Sequence, residues 1–187
     1  RSIMRIISGF LKGKNIIGYD IVGTRPTMSR VKESLFASIY SYLQDSIVLD
    51  LFAGSGSLAF EAISNGANKA YLVDNNPKVI NILRKNILNL NINDKCLVYN
   101  MDYQKALEFF NLNKIKFDLI FLDPPYKFKN ISFILEYISK NKLLNDNGLA
   151  ICEYQDDKLA DSYLDLSLIK SKKYGDKYIK IYKKEKK

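Results

Sequence analysis

Apolar and polar residues fall in blocks along this chain, and the blocks change period. Residues 27–43, TMSRVKESLFASIYSYL, carry Val31, Leu35, Phe36, Ile39, Tyr42 and Leu43 at helical spacing, with Thr27 or Ser29 available to cap the first turn. Two short β-like runs, RIIS (5–8) and NII (15–17), precede them and are joined through Gly and Lys. From Ser46 a regular alternation begins. SIVLDLF (46–52) is β-rich, and GSLAFEAISNG (56–66) is a helix that ends at Gly66. KAYLVD (69–74) is a strand, and PKVINILRKNILNLN (77–91) a helix with Pro77 in its first turn. KCLVYN (95–100), YQKALEFFN (103–111), FDLIFLD (117–123), ISFILEYISKNKLL (131–144) and GLAICEY (148–154) continue as strand, helix, strand, helix, strand. Near-continuous apolar strands separated by helices predict a parallel sheet covered on both faces. The end differs: residues 164–184 alternate around a Gly-Asp turn, which predicts an antiparallel hairpin with arms 164–173 and 177–183.

The fold class expected is α/β. It is a doubly wound, mostly parallel sheet with a C-terminal antiparallel hairpin and a small N-terminal β-hairpin and helix extension. Residues 1–45 are read as the extension and 46–187 as the core of one domain. In such sheets ligands lie at the carboxyl ends of the strands, near the switch in strand order. That rule selects Asp50 to Ser57, Asp74, Asn100 to Tyr103, Asp123 to Tyr126, and Glu153.

The chain has 187 residues, enough for one sizeable core, with 47% hydrophobic and 26% charged residues, as in ordinary globular proteins. No apolar run approaches the ~20 residues of a membrane span. The start, RSIMRIISGF, has neither the apolar segment nor the small-residue cleavage site of a signal peptide. Cys96 and Cys152 sit in apolar stretches and read as small buried hydrophobes, not as a disulfide framework. A cytoplasmic location is expected. Net charge is +9, which attracts polyanions. Heavy use of Lys, Asn, Ile and Tyr also fits an A/T-rich genome, so charge alone does not choose nucleic acid. There is no histidine, which excludes an imidazole base and a His-ligated metal.

LDLFAGSGS (50–57 after Leu49) follows the first core strand. Gly54 and Gly56 permit a tight turn and a close approach of ligand to backbone. The pattern lacks the third glycine of a dinucleotide fingerprint, where Ala59 stands, and it places Asp50 at the strand end. A carboxylate there repels pyrophosphate and attracts a cationic ligand. Asp74, about 20 residues on, is placed to accept from ribose hydroxyls or to cap the helix at Pro77, a task Asn75 or Asn76 also suits. Asp102 is placed to accept from an adenine amino group or to cap the next helix. At DPPY, Asp123 and the carbonyls around Pro124 and Pro125 are acceptors held stiffly at a strand exit, and Tyr126 offers a π-face. The lone pair of a nucleobase amine is delocalised into its ring. Two acceptors gripping its hydrogens favour the pyramidal, nucleophilic nitrogen, and stacking on an aromatic ring is worth about 1–3 kcal/mol. The matching electrophile is a methyl sulfonium. Arg25, Arg30 and Lys32 cluster at a helix start, suited to phosphate or to an internal salt bridge with a partner such as Glu33.

With these motifs in this order, LDLFAGSGS, DNN, NMD and DPPY, the chain resembles Rossmann-like amino-methyltransferases that use S-adenosylmethionine. The N-terminal MRIISG and TRPTMSRVKESLF make it similar, more narrowly, to the RsmD family, bacterial enzymes acting on the N2 amine of a guanine in 16S ribosomal RNA. The resemblance runs from Met4, the expected initiator position, through the final hairpin. It implies S-adenosylmethionine as cofactor, held by Asp50, Phe52, Ala53, Gly54, Ser55 and Gly56, with Asp74 and Asn75 on the ribose side and Asp102 near adenine. It implies that Asp123, Pro124, Pro125 and Tyr126 hold the target amine. Arg25, Pro26, Thr27, Arg30 and Lys32 would flank the pocket and seat RNA. Where the family commonly has Glu on the second strand, this chain has the shorter Asp74. The implied partner is 16S ribosomal RNA or the small subunit, with no metal, no membrane and a monomeric enzyme. Competing readings are an adenine-N6 methyltransferase, a protein glutamine methyltransferase, which favours Asn at the place of Asp123, and a noncatalytic RNA-binding protein on the same fold.

Overall fold

The computed structural model of the chain describes residues 3–18, 26–155 and 158–186, with backbone alone for 26–28. Strands β1 (Ile3–Arg5) and β2 (Asn15–Ile17) pair as an antiparallel hairpin, followed by α1 (Pro26–Ile39) and a 3-10 turn at Tyr40–Tyr42. The core then runs β3 (Ile47–Asp50), α2 (Ser57–Ser64), β4 (Lys69–Asp74), α3 (Pro77–Leu90), β5 (Cys96–Asn100), α4 (Tyr103–Leu112), β6 (Phe117–Leu122), α5 (Ile131–Lys140) and β7 (Leu144–Tyr154). Strands β8 (Ser162–Tyr163), β9 (Leu166–Tyr174) and β10 (Lys177–Lys184) complete the sheet, whose order is β5-β4-β3-β6-β7-β10-β9-β8.

The strands from β3 to β7 are parallel, because each is joined to the next by a helix long enough to cross back over the sheet. Alternate side chains enter two cores. Val48, Phe121, Ile151 and Ile179 join Phe36 of α1, Phe60 of α2 and Leu83 of α3 on one face. Leu49, Leu122, Cys152 and Tyr182 join Phe110 of α4 and Ile134 of α5 on the other. The N-terminal hairpin is fastened to the first core by Ile6, Leu11 and Ile16. Among the described residues no helix is long and apolar enough to cross a membrane.

Most expected elements match in place, and the departures have local causes. The first strand is Ile3–Arg5 rather than 5–8, because Ile7 and Ser8 turn away to bond the Glu61 carboxylate of α2. The helix expected over 131–144 stops at Lys140, because Lys142 adopts a left-handed φ of 53°, and Leu143 and Leu144 bury into the second core instead. Strand β7 consequently begins at Leu144, well before Gly148, with a register shift against β6. The first hairpin arm begins at Leu166, since Leu164 (φ 52°) turns the chain and lets Ser162 and Tyr163 form the unforeseen β8.

Candidate active site

The chain winds outward from β3 to β4 and β5, then returns to the other side of β3 for β6. The carboxyl ends of β3 and β6 therefore diverge at a switch point, where a crevice forms. Gly54 and Gly56 build the turn leaving β3, with φ of 54° and 85°. A Cβ on Gly56 would stand 2.4 Å from the Phe60 ring, so close packing of α2 requires glycine there. A Cβ on Gly54 would meet nothing within 4 Å, which leaves that side of the turn open to a ligand.

Asp74 secures this turn. Its Oδ2 accepts from the Gly54 amide at 3.1 Å and its Oδ1 from the Asn76 amide at 2.9 Å. The cap of α3 is Asn76, whose side chain accepts from Lys78 N at 3.0 Å, so Asp74 does not serve as that cap. A carboxylate has about four lone-pair sites, which leaves acceptors for hydroxyls. Asn75 is exposed beside it. Asp102 does cap its helix, accepting from Lys105 N at 2.9 Å.

Asp50 closes β3 and is buried, with 1% of its surface exposed. Neither of its carboxylate oxygens makes a well-formed hydrogen bond, although the Ala59 and Phe52 amides lie near enough to favour its charge. Burial pushes its pKa up to about 7; the Ala59 amide tempers the rise and the Asp74 charge adds to it. An orphaned buried carboxylate is costly unless a donor or a cation meets it. The cationic amino and sulfonium groups of S-adenosylmethionine suit this acid, and the open turn beside Gly54 suits its approach.

Asp123 lies just past the end of β6, where the strand stops because Pro124 and Pro125 lack the amide needed to continue. Phe128 N donates to Pro125 O at 2.9 Å and closes a turn. Tyr126 projects from it with 70% of its surface exposed. Loss of hydration and the neighbouring Glu153 carboxylate hold the Asp123 pKa well above its ordinary value; Lys177 opposes this and Asp50 contributes to it. Glu153, at the end of β7, pairs with Lys177 of β10 at 2.7 Å. Phe52, Tyr103 and Phe128 form an aromatic triad at the rim, with ring centroids 5.6, 5.1 and 5.1 Å apart. The strand-end rule picked out Phe52 and Tyr103 but not Phe128. Phe128 sits five residues after Asp123, and that adjacency was the available signal.

Of the expected RNA-facing residues, Arg25 lies outside the described residues, as does the side chain of Thr27. Arg30 is exposed on the first turns of α1. Lys32 is a correction. Its ammonium is drawn inward to Glu61 Oε1 at 3.0 Å and Ser57 Oγ at 2.9 Å, with 12% of the side chain exposed, so it is an internal tie rather than a phosphate contact. The salt bridge foreseen as its alternative exists, but to Glu61 and not Glu33.

Strand order, switch-point acids and proline exit together define a Rossmann-like methyltransferase fold. The chain belongs to the family described as Conserved hypothetical protein 95, which matches residues 4–183. It is 36% identical over 97% of its length to a Bacillus subtilis protein called putative rRNA methyltransferase YlbH, covering 99% of that protein. It is also 36% identical to the Haemophilus influenzae ribosomal RNA small subunit methyltransferase D, covering 92% of this chain and 89% of that one. The solved structure of an Escherichia coli putative methyltransferase superposes with a TM-score of 0.86 at 29% identity over 100% of both chains.

Proposed function

We propose that this chain, acting in the cytoplasm as a metal-free, single-domain monomer, transfers a methyl group from S-adenosylmethionine to the N2 amine of a guanine in 16S ribosomal RNA. The observation that carries the reading is the buried Asp50 carboxylate, without a well-formed hydrogen bond at the switch point and electrostatically linked to Asp123 across the sheet edge. Membership of a family whose relatives are called ribosomal RNA methyltransferases supports the substrate class.

Asp50 and the turn Phe52, Ala53, Gly54, Ser55 and Gly56 would hold the cofactor, with Asp74 and Asn75 toward the ribose and Asp102 toward the adenine. When bound, the cofactor supplies a methyl group on a positively charged sulfur. Asp123 and the Pro124 carbonyl accept from the two hydrogens of the guanine amine, which draws the nitrogen lone pair out of conjugation and toward the methyl. The amine nitrogen gains the methyl and loses one proton, to Asp123 or to water. Tyr126 stacks on the base, which must be unpaired or flipped to reach it. Arg25 and Arg30 hold flanking phosphate. The gain is mainly orientation of two bound reactants, a term worth up to about 7–11 kcal/mol.

The test is incubation with labelled S-adenosylmethionine and small subunits or 16S RNA from a strain lacking this enzyme, followed by mapping. Label on a guanine N2 is expected. Label on adenine N6, or none with either substrate while the cofactor binds, would refute the reading.

A further inference from the structure

Asp123 has two ionisable neighbours for which methyl transfer itself gives no task. Leu122 of β6 pairs with Cys152 of β7, so Asp123 and Glu153 stand one step beyond on the same side of the sheet. Neighbouring strands lie about 4.7–4.9 Å apart, which puts these two carboxylates side by side. Glu153 pairs with Ile179 of β10, and Lys177 lies two residues before Ile179, again on that side. Its ammonium reaches Glu153 Oε1 at 2.7 Å. Burial works against the Lys177 charge, but Glu153 and Asp123 outweigh it and keep its pKa above the ordinary value. The three side chains follow the strand order β6, β7, β10, and Glu153 and Lys177 stay partly open, 13% and 29% exposed. Asp50, on the same face at the end of β3, offers two buried oxygens without a well-formed hydrogen bond beside them.

Read from Asp123 outward, the row presents an acceptor, an acceptor and a donor. The Watson–Crick edge of guanine presents, in order, the N2 amine as donor, N1–H as donor and O6 as acceptor. We infer that Glu153 and Lys177 extend the amine site into a reader of that edge: Glu153 Oε2 accepts from N1–H and the Lys177 ammonium donates to O6 while Asp123 holds N2. This rests on the guanine-N2 reading above and deepens it. Adenine is rejected by the same row. With its N6 amine at Asp123, its N1 lone pair would face the Glu153 carboxylate. The Glu153–Lys177 pair survives binding, because a carboxylate has about four lone-pair sites and an ammonium three donors. A flipped base is read in this manner by hydrogen bonds to its pairing edge.

The test uses 2,6-diaminopurine, which keeps the 2-amine but makes N1 an acceptor and replaces O6 with an amine. RNA carrying guanosine or 2,6-diaminopurine at the mapped nucleotide is compared for equilibrium binding without cofactor and for methylation with it. The wild-type protein is expected to favour guanosine about ten- to a hundredfold. In Glu153→Gln, whose amide can turn its NH2 toward N1 of diaminopurine, and in Lys177→Met, which removes the donor to O6, that preference is expected to fall toward unity. Melting temperature and S-adenosylmethionine affinity serve as folding controls. A preference unchanged in both variants, or equal loss of both RNAs, would overturn the inference. If the wild-type protein labels no guanine N2 at all, the function reading fails instead.

Discussion

Both oxygens of Asp50 are buried without a well-formed hydrogen bond, so ionising this acid in the cofactor-free protein is unfavourable. Its folded pKa of about 7 lies above the ordinary 3.8, so the folded state keeps its proton where the unfolded state has lost it. Stability therefore falls as pH rises from about 4 to about 7, by about 4 kcal/mol at most for this group. Asp123, shifted the same way, adds to the slope. Urea midpoints of Asp50→Asn at pH 5 and pH 8 are expected to differ less than those of wild type, while its cofactor affinity, read by calorimetry, weakens. Asp123→Ala is expected to bind cofactor normally yet lose at least about a hundredfold in single-turnover rate, the scale of one lost transition-state contact; full activity would remove Asp123 from the amine site. Both acids were legible in the sequence because each ends an apolar strand at a ligand-bearing sheet edge. Lys32 was not, because its partner Glu61 is remote in sequence and only the fold of α1 onto α2 brings them together.

Elements are tied to one another by two polar residues on otherwise apolar helical faces. Glu61 of α2 is fully buried, accepts from Ile7 N at 2.6 Å and pairs with Lys32, which locks the N-terminal hairpin, α1 and α2 into one unit. Asn86 of α3 bonds both the amide and the carbonyl of Ile17 in β2 and the carbonyl of Ser55 in the glycine turn. The hairpin is thereby coupled to the loop that leaves β3. In each helix a polar residue stands at a position the apolar stripe reserves for the core: Glu61 among Phe60, Ala62 and Ile63, and Asn86 between Leu83 and Ile87. That mismatch was visible in the sequence, but the partner was not, since periodicity reports a face and not what meets it. Glu61→Ala leaves Lys32 without its carboxylate, and breaking such a pair costs about 3–5 kcal/mol. The loss is expected in the urea midpoint, with faster hydrogen exchange at the Ile7 amide. Replacing both partners, as Lys32→Met with Glu61→Leu, is expected to recover most of the stability; no recovery would mean that the Ile7 bond, not the charge pair, dominates.

At the scale of the whole molecule, a net charge of +9 gives a long-range attraction to RNA, but many lysines are spent internally. Lys32 is tied to Glu61, Lys177 to Glu153, Lys180 to Leu159 O and Asp161, and Lys184 to Leu144 O and Asp146. On β9, Lys172 and Lys173 lie over the rings of Tyr174 and Tyr178 yet remain exposed. Composition alone could not separate these uses, because pairing depends on strand register. Salt dependence can separate them. For single-stranded RNA each neutralised phosphate contributes about 0.7 to the slope of log K against log salt. Arg25→Ala with Arg30→Ala is expected to flatten that slope by about 1.4 if each arginine holds one phosphate, whereas Lys32→Met should leave the slope unchanged and lower stability instead. Binding measured between about 50 and 200 mM salt decides it. A slope unaltered by the double arginine change would move the RNA path away from α1, and a slope reduced by Lys32→Met would mean that its ion pair opens when RNA binds.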